Sequence, residues 1–389
     1  MWYWLGVTYI AALSIVDFMM FNYIGFRTNV SDVDYGIIGA AWSAVFIATS
    51  ELLGRLADRG DYRRLSAVSL TFIAAASVLF ALARGVWLMA LAYIFHAVAT
   101  STANLGFSAS LFELSPDVEW ESRTSGQRLG LYGIRGLGLL ALAMAVPFVR
   151  LLGLVVGVGV AAVAIGLLFL TALPSQWITF ERKLHGVINR LSLTEAYTAA
   201  LGSFVSYRYG ILYSISRGVA RGSGSSMGVA LSATLTTFVG DYYLTALPLI
   251  LRQMTVGLRD YMIAFAAAGL AAALTLAMVQ GTSSRSLAAA GIALRGAWAI
   301  AAVSFIRSMA GLTAYIVILV ALFGVLDLSL YQIYIGLTGG YRVHGYMVLR
   351  ELGSLAGSLA GGVALYAGPM AFMVTPAVVT GAAVAALLA

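Results

Sequence analysis

Twelve runs of about 20 apolar residues each, separated by short polar turns, leave most of this chain one solvent: lipid. The runs lie at 5–26, 35–53, 65–83, 86–113, 127–149, 151–173, 226–250, 257–280, 286–304, 309–336, 344–366 and 370–388. The chain is 61% hydrophobic and only 10% charged, more apolar surface than a water-soluble core of 389 residues can hide. Backbone amides have no water partners inside a bilayer, so runs of this length must become helices. Six spans precede a long connection and six follow it. The expected organisation is 1–173 as one six-helix bundle, 174–225 as a cytoplasmic connection and 226–389 as a second bundle.

Several function classes are closed by what is missing. There are no cysteines, which removes disulfides, thiolate metal sites and cysteine nucleophiles. No phosphate-binding Walker loop, no His-Glu-x-x-His and no nucleophile elbow occurs, so ATP-driven or enzymatic chemistry is not expected and no cofactor is implied. The net charge of +7 resides almost wholly in arginine, with Lys183 the single lysine. In so apolar a chain it suits loops held against an anionic membrane face, not nucleic acid. Met1-Trp2-Tyr3-Trp4 leads straight into the first span, without the basic stretch of a cleavable signal.

The connection has its own pattern. Pro174 ends the sixth span. Trp177, Phe180, Leu184, Val187, Ile188 and Leu191 then recur at helical spacing beside Arg182, Lys183 and Arg190, as in a basic helix lying on the membrane surface. A second helix is expected near 193–216, interfacial or an extra span; Arg208 at its middle favours the interface. Arginine counting orients the first half. Arg55, Arg59, Arg63, Arg64, Arg123, Arg128, Arg182 and Lys183 gather on one side, against Arg27, Arg84 and Arg150 on the other. The first side should be cytoplasmic, with the N-terminus inside a cytoplasmic membrane. An internal repeat supports six plus six: Asp17-Phe18 with Arg27 beyond it, and Asp241-Tyr242 with Arg252 beyond it, stand at matching places in spans one and seven.

Between spans two and three runs Gly54-Arg55-Leu56-Ala57-Asp58-Arg59-Gly60-Asp61-Tyr62-Arg63-Arg64. This stretch resembles the signature of the major facilitator superfamily, and it lies in the loop where that family carries it. The resemblance implies an all-α membrane protein of twelve transmembrane helices in two pseudo-symmetric six-helix bundles. Gly54 would permit close helix approach, Asp58 would face a helix N-terminus of the other half, and Arg59 would pair with Glu113. Arg63 and Arg64 would anchor the loop inside. Arg128, and Arg350 with Glu351, occupy similar inner positions in the two halves and are expected as gate or inter-half salt bridges. Two departures stand out. The polar residue within span four is His96, not arginine, and span five has a glycine face without the Gly-Pro pair of the family's drug antiporters.

A charge at mid-bilayer costs at least ~3 kcal/mol on insertion scales. Asp17, His96, Arg135, Asp241, Arg295 and Asp327 all sit deep on their spans. In the family the resemblance names, spans one, four, seven and ten line the central cavity, and Asp17, His96, Asp241 and Asp327 fall one on each. The three acids are expected to carry protons or hold a cation, with His96 as relay. Arg135 would neutralise an acid or bind an anionic solute. Tyr242, Tyr243 and Asn22 would complete the site, the tyrosines by ring-face contact with a cation. The expected function is proton-coupled alternating access, exporting a cationic or amphipathic small molecule, by a protein acting as a monomer. A proton-coupled carrier of sugars or organic anions is the second reading. A divalent-metal exporter using Asp17, Asn22 and His96 is a third.

Overall fold

The computed structural model describes residues 1–58, 60–114, 120–174, 226–253, 256–279, 284–301, 308–338, 343–364, 366 and 368–389. Twelve helices form among them: α1 (Trp2–Arg27), α2 (Asp32–Asp58), α3 (Tyr62–Leu82), α4 (Val86–Leu114), α5 (Trp120–Ala145), α6 (Leu151–Ala172), α7 (Ser226–Gln253), α8 (Leu258–Val279), α9 (Arg285–Ile300), α10 (Met309–Thr338), α11 (Val343–Ala364) and α12 (Gly368–Leu388). Their ends follow local chemistry. Ser31 precedes α2, and its hydroxyl accepts from the Asp34 amide at 3.1 Å while donating to the Asp34 carboxylate at 2.7 Å. Ser284 caps α9 by accepting from the Leu287 amide at 3.2 Å. After α2, the Asp61 amide reaches back to the Leu56 carbonyl and the Gly60 amide to that of Ala57, both at 2.9 Å. That pair of bonds is a Schellman cap, and Gly60 takes the left-handed φ of 70° it requires.

One span differs from the sequence expectation. α5 covers Trp120–Ala145, not 127–149. Pro147 disfavours helical geometry in the residue before it and closes the helix early. At the other end the polar stretch through Ser125 stays helical beyond the apolar run, because helix bonds are made within the segment whatever its side chains. The connection expected over 174–225, with its two amphipathic helices, lies outside the described residues beyond Pro174.

Eight helices (α1–α6, α8 and α10) are long and apolar enough to cross a membrane by length and composition. α7 and α11 fall short because small and polar residues replace aliphatic ones on faces that pack inside the protein. Of α9, 16 residues are described, and α12 contributes a shorter apolar stretch, Phe372–Leu388. Outward faces leave Val78, Leu82, Leu137, Leu168, Leu274 and Met278 exposed, as lipid permits.

Helices α1–α6 pack among themselves, as do α7–α12, and the two sets meet mainly where α2 lies on α11 and α5 on α8. α11 is built for two neighbours. Gly353, Gly357 and Gly361 lie on the α7 backbone, where an added methyl would run into the carbonyls of Thr234, Phe238 and Tyr242. One residue further round, Ser354, Ser358 and Gly362 face α2. There Gly36 opposes Gly362, Gly39 opposes Ser358, and the hydroxyls of Ser43 and Ser354 hydrogen-bond at 2.9 Å. Small residues every fourth position let two helix axes approach closely. α5 and α8 close in the same way at Gly136 and Gly269.

Candidate functional site

The end of the molecule carrying Arg55, Arg63, Arg64 and Arg123 is the basic end; the opposite end is the far end. The two bundles are sealed toward the far end. The α2–α11 seam closes one side. On another, Phe18 of α1 packs against Tyr261 and Phe265 of α8 with centroids 5.6 and 5.0 Å away, and Phe26 meets Tyr261 at 5.7 Å. Toward the basic end the bundles part, and a cavity of about 60 Å³ opens between α2, α4, α5, α10 and α11.

Between seal and cavity lies the acid site. Asp17 stands about 22 Å along α1 from Trp2, taking ~1.5 Å per residue. Its side chain is one-third exposed. The Tyr93 hydroxyl donates to Asp17 Oδ1 at 2.9 Å, and His96 Nδ1 lies 3.9 Å from the same oxygen. Tyr93 and His96 are three residues apart on α4 and so share a face. Their rings are parallel within 1° at 6.1 Å. His96 is fully buried. Trp42 Nε1–H donates to His96 Nδ1 at 3.3 Å, which puts the ring proton on Nε2, facing the Leu13 carbonyl at 3.0 Å. This network describes a neutral histidine, its tautomer assigned from its partners. A second proton on Nδ1 would turn that nitrogen from an acceptor for Trp42 into a donor toward Asp17. Phe21, Tyr93 and Trp42 continue the stack at 5.4 and 6.0 Å, making an aromatic wall beside the carboxylate.

Asp241 of α7 faces Asp17 across the line between the bundles. It takes a hydrogen bond from Ser354 and stands within electrostatic reach of Asp17, Glu351 and Arg350. Ser354 also meets Ser43, so the carboxylate is joined through two hydroxyls to α2 in the other bundle. Among the described residues, no arginine or lysine nitrogen comes within 4.0 Å of Asp17 or Asp241.

Asp327 is not a third member of that site. Arg128 Nη1 lies 3.0 Å from one oxygen and Arg350 Nη1 3.3 Å from the other, and Arg350 Nη2 reaches Glu351 at 2.8 Å. The expected proton carrier is thus the centre of an ion-pair cluster, because two guanidiniums outbid any other partner for a buried carboxylate. The Arg128–Asp327 bond joins the two bundles. Gln332 Nε2 to Ser125 Oγ, at 3.3 Å, joins them again one turn further toward the basic end.

Tyr242 and Tyr243 also depart from expectation. Both are buried within the second bundle; their hydroxyls donate to the carbonyls of Phe372 at 3.4 Å and Ala299 at 3.2 Å. Residues one and two positions after Asp241 are turned ~100° and ~200° around the helix from it and cannot share its face. Asn22 is likewise turned inward, its amide donating to Phe18 O of its own helix at 2.8 Å. Arg135 lies over the Phe18 ring at 5.8 Å, with no ion pair among the described residues. Arg295 is buried between α9 and α7, donating to the Thr236 carbonyl at 2.7 Å. Gly54 is buried in α2, and Arg64 pairs with Asp61 at 3.6 Å. The side chains of Asp58, Arg59 and Glu113, and so the expected Arg59–Glu113 pair, lie outside what is described. Among the described residues no three histidine or acidic side chains gather as metal ligands.

Tyr93 and Ser354 escaped the sequence reading, although each carried a signal. Tyr93 stands one turn from His96, and Ser354 one turn from Glu351.

No family model matches the chain, and no curated protein does. Among solved structures it is similar to the xylose transporter XylE of E. coli in a partially occluded inward-open conformation, with a TM-score of 0.65 and 13% identity over 99% of this chain and 96% of that one. The fold is therefore the major facilitator fold, two six-helix bundles of transmembrane helices.

Proposed function

We propose that this chain is a proton-coupled secondary transporter that works by alternating access, with its basic end and N-terminus in the cytoplasm. The carrying observation is the pair Asp17 and Asp241, one from each bundle and within electrostatic reach of each other, with a histidine beside one and, among the described residues, no arginine or lysine within 4.0 Å of either. A carboxylate without a directly paired countercharge in low dielectric favours a proton or a cation as its partner. In this state the pair lies below a sealed far end and above a cavity at the basic end, as in a carrier facing inward. Rocking one bundle against the other about α2–α11 and α5–α8 would expose the same acids to the other side.

The substrate reading is a small cationic or amphipathic cationic solute. Asp17 and Asp241 supply the charge, and Trp42 and Tyr93 the ring faces that hold a cation against them. The same wall favours a second reading. Aromatic rings next to carboxylates also suit a hydroxylated solute, and the fold is shared with a transporter of xylose. Arg135, without an ion pair among the described residues, would then face an organic anion or polar solute.

The test is proton flux in proteoliposomes under a pH gradient, with lipophilic cations in one series and sugars or organic anions in another. Cation-driven proton movement that disappears in Asp17→Asn and Asp241→Asn supports the first reading. Movement evoked by a sugar or an anion alone transfers the assignment to the second. Flux with no added solute, unchanged in both variants, would remove the acids from the coupling path.

A further inference from the structure

We propose that the cavity at the basic end is a binding site for a compact oxyanion, a carboxylate or a phosphate group, distinct from the Asp17–Asp241 site. Its polar lining is rich in donors. Arg128 and Arg350 enter from opposite bundles, with Asn104, Gln127 and Tyr346 around them and, among the described residues, no carboxylate in the wall. Two of these groups have unspent donors. The Tyr346 hydroxyl is buried without a hydrogen-bond partner on a side chain only 2% exposed, and Arg350 Nε is buried and unpartnered as well. Buried donors are nearly always satisfied in native proteins. A phenol and a guanidinium N–H buried without acceptors, in side chains that line one cavity, point to an acceptor that brings its own oxygens.

The size agrees. About 60 Å³ holds roughly four waters at ~15 Å³ of probe space each, the room an oxyanion of four or five heavy atoms takes. The remaining cluster sets how the site works. Arg350 already gives Nη1 to Asp327 and Nη2 to Glu351, and Arg128 gives Nη1 to Asp327. Two guanidiniums and two carboxylates cancel, so an arriving anion competes with Asp327 for Arg128. Planar guanidinium forks bind carboxylate and phosphate oxygens equally well in pairs. Occupancy therefore loosens the Arg128–Asp327 bond, one of the ties between the bundles, and links the anion to the bundles' separation at this end.

The experiment is calorimetric titration of the purified full-length protein in detergent with inorganic phosphate and, separately, acetate, repeated with Tyr346→Phe and Asp327→Asn. Tyr346→Phe removes a hydroxyl that holds nothing else, so its fold and melting temperature should stay as in the wild type while anion affinity falls about tenfold. Asp327→Asn removes the competitor and should tighten binding by a similar factor, with phosphate raising the variant's melting temperature. Response to phosphate or to acetate alone distinguishes the two sources. Absence of heat from both anions at tens of millimolar, in wild type and Asp327→Asn alike, overturns the proposal. Equal affinities in wild type and Tyr346→Phe overturn it too. Because the readout is binding, failure here leaves the flux experiment on Asp17 and Asp241 independent.

Discussion

Gly362→Ala is the sharpest mechanical test of the far-end seal. A methyl at Gly362 would stand 2.8 Å from Gly36 Cα and 2.9 Å from the Asp32 carbonyl oxygen. Both are backbone atoms of α2, so no side chain can swing aside. Carbon–carbon contact begins near ~3.5 Å, and the helices must part by about 0.7 Å. Forcing a methyl into a packed contact costs about 1–3 kcal/mol. The same separation would stretch the Ser43–Ser354 bond from 2.9 Å past hydrogen-bonding range, adding about 1 kcal/mol. These costs fall only on the state in which the seam is closed. At ~1.4 kcal/mol per tenfold, a penalty of about 2–4 kcal/mol raises the far-end-open population roughly 30- to 700-fold. The chain has no cysteines, so a single introduced thiol reports alone. Ala268 is fully buried on α8, three residues from Phe265 and on the same face, beneath the aromatic seal. An Ala268→Cys reporter should react with an impermeant maleimide from the far side at least tenfold faster when Gly362→Ala is added. A folded double variant whose labelling rate changes less than twofold would refute the seam as the far-end gate.

Other expectations follow from particular contacts. Gly60→Ala places a Cβ at φ 70° in the loop after α2; it should cost about 1–2 kcal/mol, read as a lower melting temperature in detergent. Arg350→Met leaves Glu351 without its arginine and Asp327 with Arg128 alone; a loss of about 3–5 kcal/mol is expected. Arg128→Met, which leaves Arg350 on Asp327, should lose less, and chemical denaturation ranks the two. Tyr242→Phe and Tyr243→Phe remove hydroxyls bonded within the second bundle, Tyr242 to the Phe372 carbonyl and the Thr375 side chain, Tyr243 to the Ala299 carbonyl. Flux should stay within about threefold of wild type, since one such bond is worth ~1 kcal/mol or less.

The spans were legible because a bilayer demands continuous apolar length, a requirement local to each segment. Most helix ends fell within a few residues of the runs read from sequence. α5 was the exception, since its polar first two turns carry no apolar signal. Charges deep in the spans were legible too, since their cost marks them. Their partners were not, because pairing depends on rotation about each helix axis and on which helices meet. Asp327 looked like Asp17 and Asp241 until Arg128 and Arg350 arrived from two other helices. Tyr242 and Tyr243 were misplaced by adjacency in sequence, where neighbours point different ways around a helix. The α11 glycines recorded a contact that only the assembled bundles make visible.

On the proposed function, the deep charges also fix how the carrier would respond to membrane voltage. The ion-pair cluster of Arg128, Arg350, Asp327 and Glu351 sums to zero, and Arg135 and Arg295 offset Asp17 and Asp241 when both acids are ionised. With His96 neutral, the unloaded protein thus moves no net charge among these groups as its bundles rock. Each proton taken by Asp17 or Asp241 adds one positive charge to the moving set. A charge crossing the whole field gains about 2.3 kcal/mol per 100 mV. A membrane negative at the basic end would therefore pull the protonated carrier toward the conformation seen here and leave the empty one indifferent, so voltage would act on the load and not on the machine.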